Sequence, residues 1–346
     1  MNFTDAVRQL GERPLHGRTA RSRSGSGSSW GWAIHALRRE LVEFSFDYPV
    51  EAVPDAGHPD VLHYYIYSDR LFLDDLEFDE NGVAMKNYRV QGRQYNPLFI
   101  AWWGLHNLER YLRVREDEYL HKFLVQVEWL KEHAVEREDG AVVWPCYFDW
   151  QEGHSRLQSP WISAMYQGVI ISALVRAYRV QGDKGLLDLC EKAIRVFERT
   201  VEEGGVRTVQ DGHVLYEEYP AYPLPRVLDG FLFSLLGLYD LFLETNEHRI
   251  FSLFSDGIKG LVSHLHAWNY RDVWSWYGTH GYLCPPHYHK LNYLLLRVLG
   301  EITGEKPLLE LAERWDVDKR TPAQKTEIFL LFILTKNWAR LRLPRN

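Results

Sequence analysis

An incomplete (α/α) toroid of helical hairpins, mainly α, with a small β-rich module ahead of it, is the fold this 346-residue sequence predicts. Three observations predict it. Four stretches that are apolar nearly all round alternate with stretches that carry charge on one side only. The alternation recurs at roughly 65 residues. After three of the one-sided stretches the chain runs through a short, strand-like, aromatic-rich segment before the next apolar stretch. A helix apolar on every side must be buried, and a one-sided helix lies outside it. A chain that repeats buried helix, outer helix and hairpin gathers its linkers at one mouth.

Taken in order, residues 1–30 hold Arg18, Arg21 and Arg23 among Ser and Gly with no apolar period, the composition of a flexible arm. Residues 31–95 form the β-rich module: HYYIYSDRLFLDDLEFDENGV alternates apolar positions and is broken by Asp, Asn and Gly, as short antiparallel strands are. The toroid is expected over 96–346. Its first buried helix, PLFIAWWGLHNLERYL, sets Leu98, Ala101, Leu105, Leu108 and Leu112 on one face. The second, SPWISAMYQGVIISALVRAY, opens with Ser159 as N-cap and Pro160 in the first turn. PRVLDGFLFSLLGLYDLFL and KLNYLLLRVLGEI are the third and fourth. Outer helices are expected near 117–134, 184–203, 248–267 and 321–340. The connecting segments are DGAVVWPCYFDW, GGVRTVQDGHVLYEEYP and YRDVWSWYGTHGY.

Composition narrows the function. A hydrophobic content of 46% supplies a substantial core. A net charge of -7 argues against nucleic acid, which is held by many Lys and Arg on phosphates; a site for an anionic sugar needs a local basic patch instead. No run approaches the roughly 20 apolar residues of a membrane helix and no short apolar block opens the chain, so neither anchor nor export signal is expected and a cytoplasmic location is favoured. Cys146, Cys190 and Cys284 are odd in number and lack CxxC spacing, which suits a reducing compartment and neither a disulfide framework nor zinc. The acidic run Asp74, Asp75, Glu77, Asp79 and Glu80 reads as a turn before it reads as a calcium site, and no cofactor is expected. The 13 Trp and 20 Tyr fit either large-side-chain cores or the aromatic faces of a sugar cleft.

If the linkers share a mouth, the chemistry sits in them. The densest cluster is Tyr216-Glu217-Glu218-Tyr219-Pro220. A second gathers Trp274, Trp276, Tyr277 and His280, followed by His287, Tyr288, His289 and Lys290. Histidines among tyrosines suit an acid/base relay, a metal site or satisfied polar groups at a helix start; metal is the least favoured, for want of Cys or carboxylate at a confirming spacing.

These residues carry a family resemblance. Trp161 to Gly168 (WISAMYQG), continuing as SALVRAY, resembles the WxSAMAQG…STLVRAY helix of the glucuronyl C5-epimerases. GGVRTV, YEEYP and VLDGFLFSLLGLYDL are similar to that family's YEEYPxxPxxxVLNGFxYSLxGLYDL block. Gly82-Val83, Tyr95-Asn96-Pro97, Ile100-Ala101 and Gly104-Leu105 resemble its approach to the first helix. The matches cover most of residues 80–300. The resemblance implies inversion at C5 of D-glucuronate within a heparosan- or heparan-type polysaccharide, giving L-iduronate, by a homodimer. It implies Tyr219, Tyr277 and Tyr288 as catalytic residues. Glu218, Arg93, Tyr95, Asn96, Trp161, Gln167, His280, His289 and Arg207 are the candidates for contacting substrate. Animal members read YDLRH and YHTTH where this chain has Tyr277-Gly278-Thr279-His280 and Tyr288-His289-Lys290-Leu291-Asn292.

The chemistry makes these residue types reasonable. Removing a hydrogen alpha to a carboxylate builds an enediolate dianion, which asks for a cation such as Arg207, Arg226 or Lys290. A tyrosine with its ordinary pKa of about 10 serves as base near neutrality only if a histidinium or guanidinium lowers it. Tyr and His suit a polysaccharide lyase equally well. A toroid glycoside hydrolase would need a second carboxylate such as Asp149 or Asp229, because Glu217 and Glu218 are adjacent and tend to diverge. A sugar-binding protein without turnover is the third alternative.

Overall fold

The computed structural model describes residues 44–54, 62–70, 73 and 75–342. The expected arm at 1–30, residues 31–43 of the expected module and Asp74 lie outside them. Two small antiparallel sheets come first: β1 (Glu51–Ala52) with β2 (Ile66–Tyr67), then the meander β3 (Leu76–Phe78), β4 (Ala84–Tyr88) and β5 (Gly92–Gln94).

The helical body is mainly four hairpins. Helix α1 (Pro97–Val114) turns back as α2 (Asp117–Glu132), and two strand pairs follow, β6 (Val135–Glu136) with β7 (Val142–Val143) and β8 (Trp150–Glu152) with β9 (Ser155–Leu157). Next come α3 (Ala164–Gln181), α4 (Lys184–Ala193) and the pair β10 (Arg207–Gln210) and β11 (His213–Tyr216). The third hairpin is α5 (Leu228–Thr245) and α6 (His248–Trp268), with β12 (Asn269–Tyr270) and β13 (Trp274–Ser275) after it. The fourth is α7 (Pro286–Thr303) and α8 (Lys306–Trp315), and α9 (Pro322–Arg342) closes the described chain. The apolar helices α1, α3, α5 and α7 pack each on the next, and α2, α4, α6 and α8 each cover their own partner from outside. This is an incomplete (α/α) toroid. Among the described residues no helix is long and apolar enough to cross a membrane.

Local chemistry sets the helix ends. Asn96 caps α1, its Oδ1 accepting from the Leu98 N–H at 2.9 Å ahead of a proline in the first turn. Ser163, not Ser159, caps α3. The expected start fails because Trp161 is held extended, exchanging backbone hydrogen bonds of 2.8 and 3.2 Å with Cys146. The outer helix expected over 184–203 stops at Ala193 and continues only as two separate short turns, Arg195–Glu198 and the 3-10 turn Val201–Glu203. The N–H groups of Val206 and Arg207 bond back to the carbonyls of Val196 and Arg199, which turns the chain toward β10. Helix α8 was not foreseen; the 321–340 stretch forms α9 one element later. Yet α8 shows its own stripe of Leu308, Leu311, Ala312 and Trp315, all buried at helical spacing.

Two features fix the inner ring. Gly168 of α3 and Gly237 of α5 let two helix backbones touch: a Cβ on Gly237 would fall 2.2 Å from the Gly168 carbonyl oxygen. Arg176 of α3 donates to Asp240 of α5 at 2.6 Å, and both are fully buried. Tyr65 also donates to Asp240, at 2.7 Å, and Arg176 takes the carbonyls of Leu62 and His63, so the strand leading into β2 is tied across the inner helices. A buried ion pair with its remaining valences satisfied in this way is costly to break from one side only.

Candidate active site

The segments that precede the inner helices meet at one mouth. Between them lies a cavity of about 20 Å³, room for about one water molecule. Its walls are Leu98 and Phe99 of α1, Met165 of α3, Glu218 and Tyr219 from the segment after β11, Asp229 in the first turn of α5, Tyr277 after β13, and Tyr288 in the first turn of α7. Segments up to 70 residues apart thus deliver three phenols and two carboxyls to one place. The Tyr277 and Tyr288 rings lie 5.8 Å apart, and Tyr219 lies 6.1 Å from Trp161.

The carboxyls are unusual in being buried without a cation. Glu218 is 6% and Asp229 3% exposed, and Glu218 Oε2 and Asp229 Oδ1 have no hydrogen-bond partner. Burial pushes the Asp229 carboxyl up to about 7, against the pull of the backbone N–H groups of Asp229 and Gly230. Burial, then the Asp229 charge, raises Glu218 well above the carboxylate range, while a hydrogen bond from Tyr219 draws it back. Glu217 points the other way: its Oε1 accepts from Arg226 at 2.5 Å and from Thr208 at 2.8 Å. Adjacent in sequence, the two glutamates serve the site and the scaffold respectively.

All three tyrosines are held well above the ordinary phenol range, first by burial and then by the negative charge of Glu218, Glu152 or Asp229. This corrects the expected depression by a neighbouring cation. Near neutrality these groups are uncharged phenols.

Behind Tyr277 stands a residue that sequence reasoning missed. Glu152, at the end of β8, is fully buried, and its Oε1 lies 2.9 Å from His280 Nε2. Trp150 Nε1 donates to its other oxygen at 3.2 Å. His280 Nδ1 donates to the Tyr277 carbonyl at 2.9 Å, and the two rings are 4.8 Å apart. Gly153 opens the space, since a Cβ there would fall 2.7 Å from His280 Cδ2. The one sequence signal for Glu152 is a carboxylate beside a glycine at a hairpin turn.

Other expected contacts lie elsewhere. Arg93 is a surface residue 3.7 Å from Glu77, and Tyr95 is 42% exposed, donating to Asp79 and stacked on Trp129. Asp79 also accepts from the N–H groups of Asn81 and Val83, so it is held as a turn. Asn96 is used by its helix cap and by Tyr88 and Tyr166. Gln167 holds Val142, Ala193 and Trp144 backbone groups together. His289 packs on Trp274 with Nδ1 accepting from the Ser275 N–H and Nε2 donating to the Trp315 carbonyl; burial lowers its pKa to about 3. Arg207 pairs with Tyr216 in the β10–β11 ladder and Lys290 donates to the Tyr48 carbonyl; neither they nor Arg226 line the cavity. Asp149 is at the surface beside Arg156. Trp161 donates to the Phe148 carbonyl and stands between the cavity and a larger groove.

Residues 138–317 match the family model described as D-glucuronyl C5-epimerase C-terminus. The chain is 31% identical over 234 residues to the D-glucuronyl C5-epimerase of Caenorhabditis elegans, covering 62% of this chain and 38% of that protein. It therefore spans well under half the length of that relative. It is 27% identical over 212 residues to an uncharacterized protein of Methanocaldococcus jannaschii, covering 60% of this chain and 67% of that one. Among solved structures, cellobiose 2-epimerase from Bacillus thermoamylovorans aligns with a TM-score of 0.48 and 12% identity over 76% of this chain and 79% of that one. The matched segment takes in just over half of the chain, including Glu218, Tyr219, Asp229, Tyr277 and Tyr288, and on that ground the chain belongs to the D-glucuronyl C5-epimerase family.

Proposed function

We propose that this chain inverts C5 of D-glucuronate residues in a heparosan-type polysaccharide, giving L-iduronate. The observation that carries the reading is the convergence of Tyr219, Tyr277 and Tyr288 on one cavity. Inversion needs a group that takes the C5 proton on one face and a group that returns a proton on the other. Neutral phenols carry the proton that the strongly basic enediolate carbon takes up. For the taking step, the hydrogen bond from Tyr219 to Glu218 offers a route. As the Tyr219 oxygen receives the C5 proton, its own proton passes to Glu218 in the ionised form that the Tyr219 hydrogen bond favours, and the C–H electron pair enters the enediolate. A phenol on the opposite face, Tyr277 or Tyr288, then protonates C5.

A groove beside the cavity supports the polymer part. It measures about 700 Å³, is lined by Trp161, whose ring lies 6.1 Å from that of Tyr219, and reaches Pro220 and Ala221 next to Tyr219. Arg137, paired with Asp139, and Arg156, 3.6 Å from Asp149, stand in its wall and Tyr147 is exposed there, so the groove offers guanidinium and aromatic groups to a polymer. A pyranose ring does not fit the cavity as it stands, so binding requires the mouth to widen.

The test is incubation with N-deacetylated or N-sulfated heparosan, followed by proton NMR and chain-length analysis. Iduronate signals on intact chains support the reading. An unsaturated uronate would mean a lyase, and shortened saturated chains a hydrolase.

A further inference from the structure

We propose that Glu218 and Asp229 act as a two-carboxyl, one-proton pair that receives the uronate carboxylate by donating an O–H to it, in place of a cation. This rests on the uronate-polymer reading above and states how that site meets its substrate's charge.

The geometry points this way from several sides. No Lys or Arg lines the cavity. Each carboxyl presents a buried oxygen without a partner. Gly230 brings the two together: a Cβ there would fall 2.4 Å from Glu218 Oε2, so only glycine lets Glu218 lie against the first turn of α5, beside Asp229. Two carboxyls sharing one dry site do not both ionise near neutrality, and the proton they keep belongs to the pair. Burial raises both groups, Asp229 to about 7. A carboxylic acid donating to a carboxylate makes a short, charge-assisted hydrogen bond.

The groups facing the pair are Glu152 from β8, Tyr166 from α3, Tyr219, then Tyr277 and Cys284 before α7, and Tyr288 within it; His280 stands behind Glu152. Lys86 of β4 stands 5.0 Å from the Phe99 ring and is the cation that would compete for the role.

Calorimetric titration of the full chain with heparosan, from about pH 5 to about pH 9, tests the pair. The expected result is wild-type affinity falling up to about tenfold per pH unit once the pair ionises. Asp229→Asn should bind with one affinity throughout, and Asp229→Leu weakly at every pH. Wild-type binding with no pH dependence overturns the pair while leaving the uronate reading in place. So does a Lys86→Met variant that loses affinity equally at every pH when Asp229→Leu does not. No binding of heparosan by the wild type at any pH overturns the pair and the uronate reading together.

Discussion

His280 Nε2 lies 2.9 Å from Glu152 Oε1, while the same imidazole holds the Tyr277 carbonyl through Nδ1. A carbonyl only accepts, so Nδ1 carries a proton. Nε2 and Oε1 stand at contact distance without the alignment of a hydrogen bond, both buried, and the contact ties β8 to the segment that presents Tyr277.

Glu152→Gln keeps the contact, because its amide N–H donates to a neutral imidazole. Glu152→Ala removes the contact and takes this acceptor from the buried Trp150 indole N–H, which costs about 1–3 kcal/mol. The alanine variant should lose that much stability in urea unfolding and at least about tenfold more C5 exchange than the glutamine variant. Equal behaviour of the two would remove the pair from any part in positioning Tyr277.

Asp229 makes stability fall with rising pH. Its folded pKa of about 7 lies above its ordinary value of 3.8, so the folded state holds the proton more tightly. That stabilisation is complete below the ordinary value and is lost as pH rises toward 7. The shift of about 3 units, at about 1.4 kcal/mol each, bounds the loss at about 4 kcal/mol. Asp229→Asn removes the penalty: its advantage over wild type in denaturant midpoint should widen from acid to mildly alkaline pH. A gap that stays constant with pH would show that Asp229 ionises normally.

Gly237→Ala tests the toroid. The added methyl meets the Gly168 backbone, which has no flexible end to move aside, so overpacking should cost about 3 kcal/mol or more. Thermal unfolding reads this. An unchanged melting temperature would mean that α3 and α5 do not cross at these glycines.

Much of this organisation was legible in the sequence. The inner helices are visible because a helix buried on all sides must be apolar on all sides, and the hairpins because Gly-rich turns separate short β-branched and aromatic runs. Helix ends were less legible: Ser159-Pro160 has the composition of a helix start, but the Cys146–Trp161 bridge, a tertiary contact, overrides it. In the site, Tyr219, Tyr277, Tyr288 and Glu218 were readable from their linkers. Asn96, Gln167 and His289 were not distinguishable from them, since a polar side chain satisfying backbone groups in a helix start uses the same residue types as one aimed at a ligand. Glu152 escaped because its partner, His280, is 128 residues away and only the closed mouth brings them together.

The central claim is that Tyr219 moves the C5 proton, and hydrogen exchange at that carbon measures it most directly. Wild type and Tyr219→Phe are each incubated with N-deacetylated or N-sulfated heparosan in deuterated water, with polymer binding measured alongside. The account predicts deuterium at C5 with the wild type, and retained binding with exchange lowered at least about a hundredfold in the variant. Full exchange by Tyr219→Phe would contradict it.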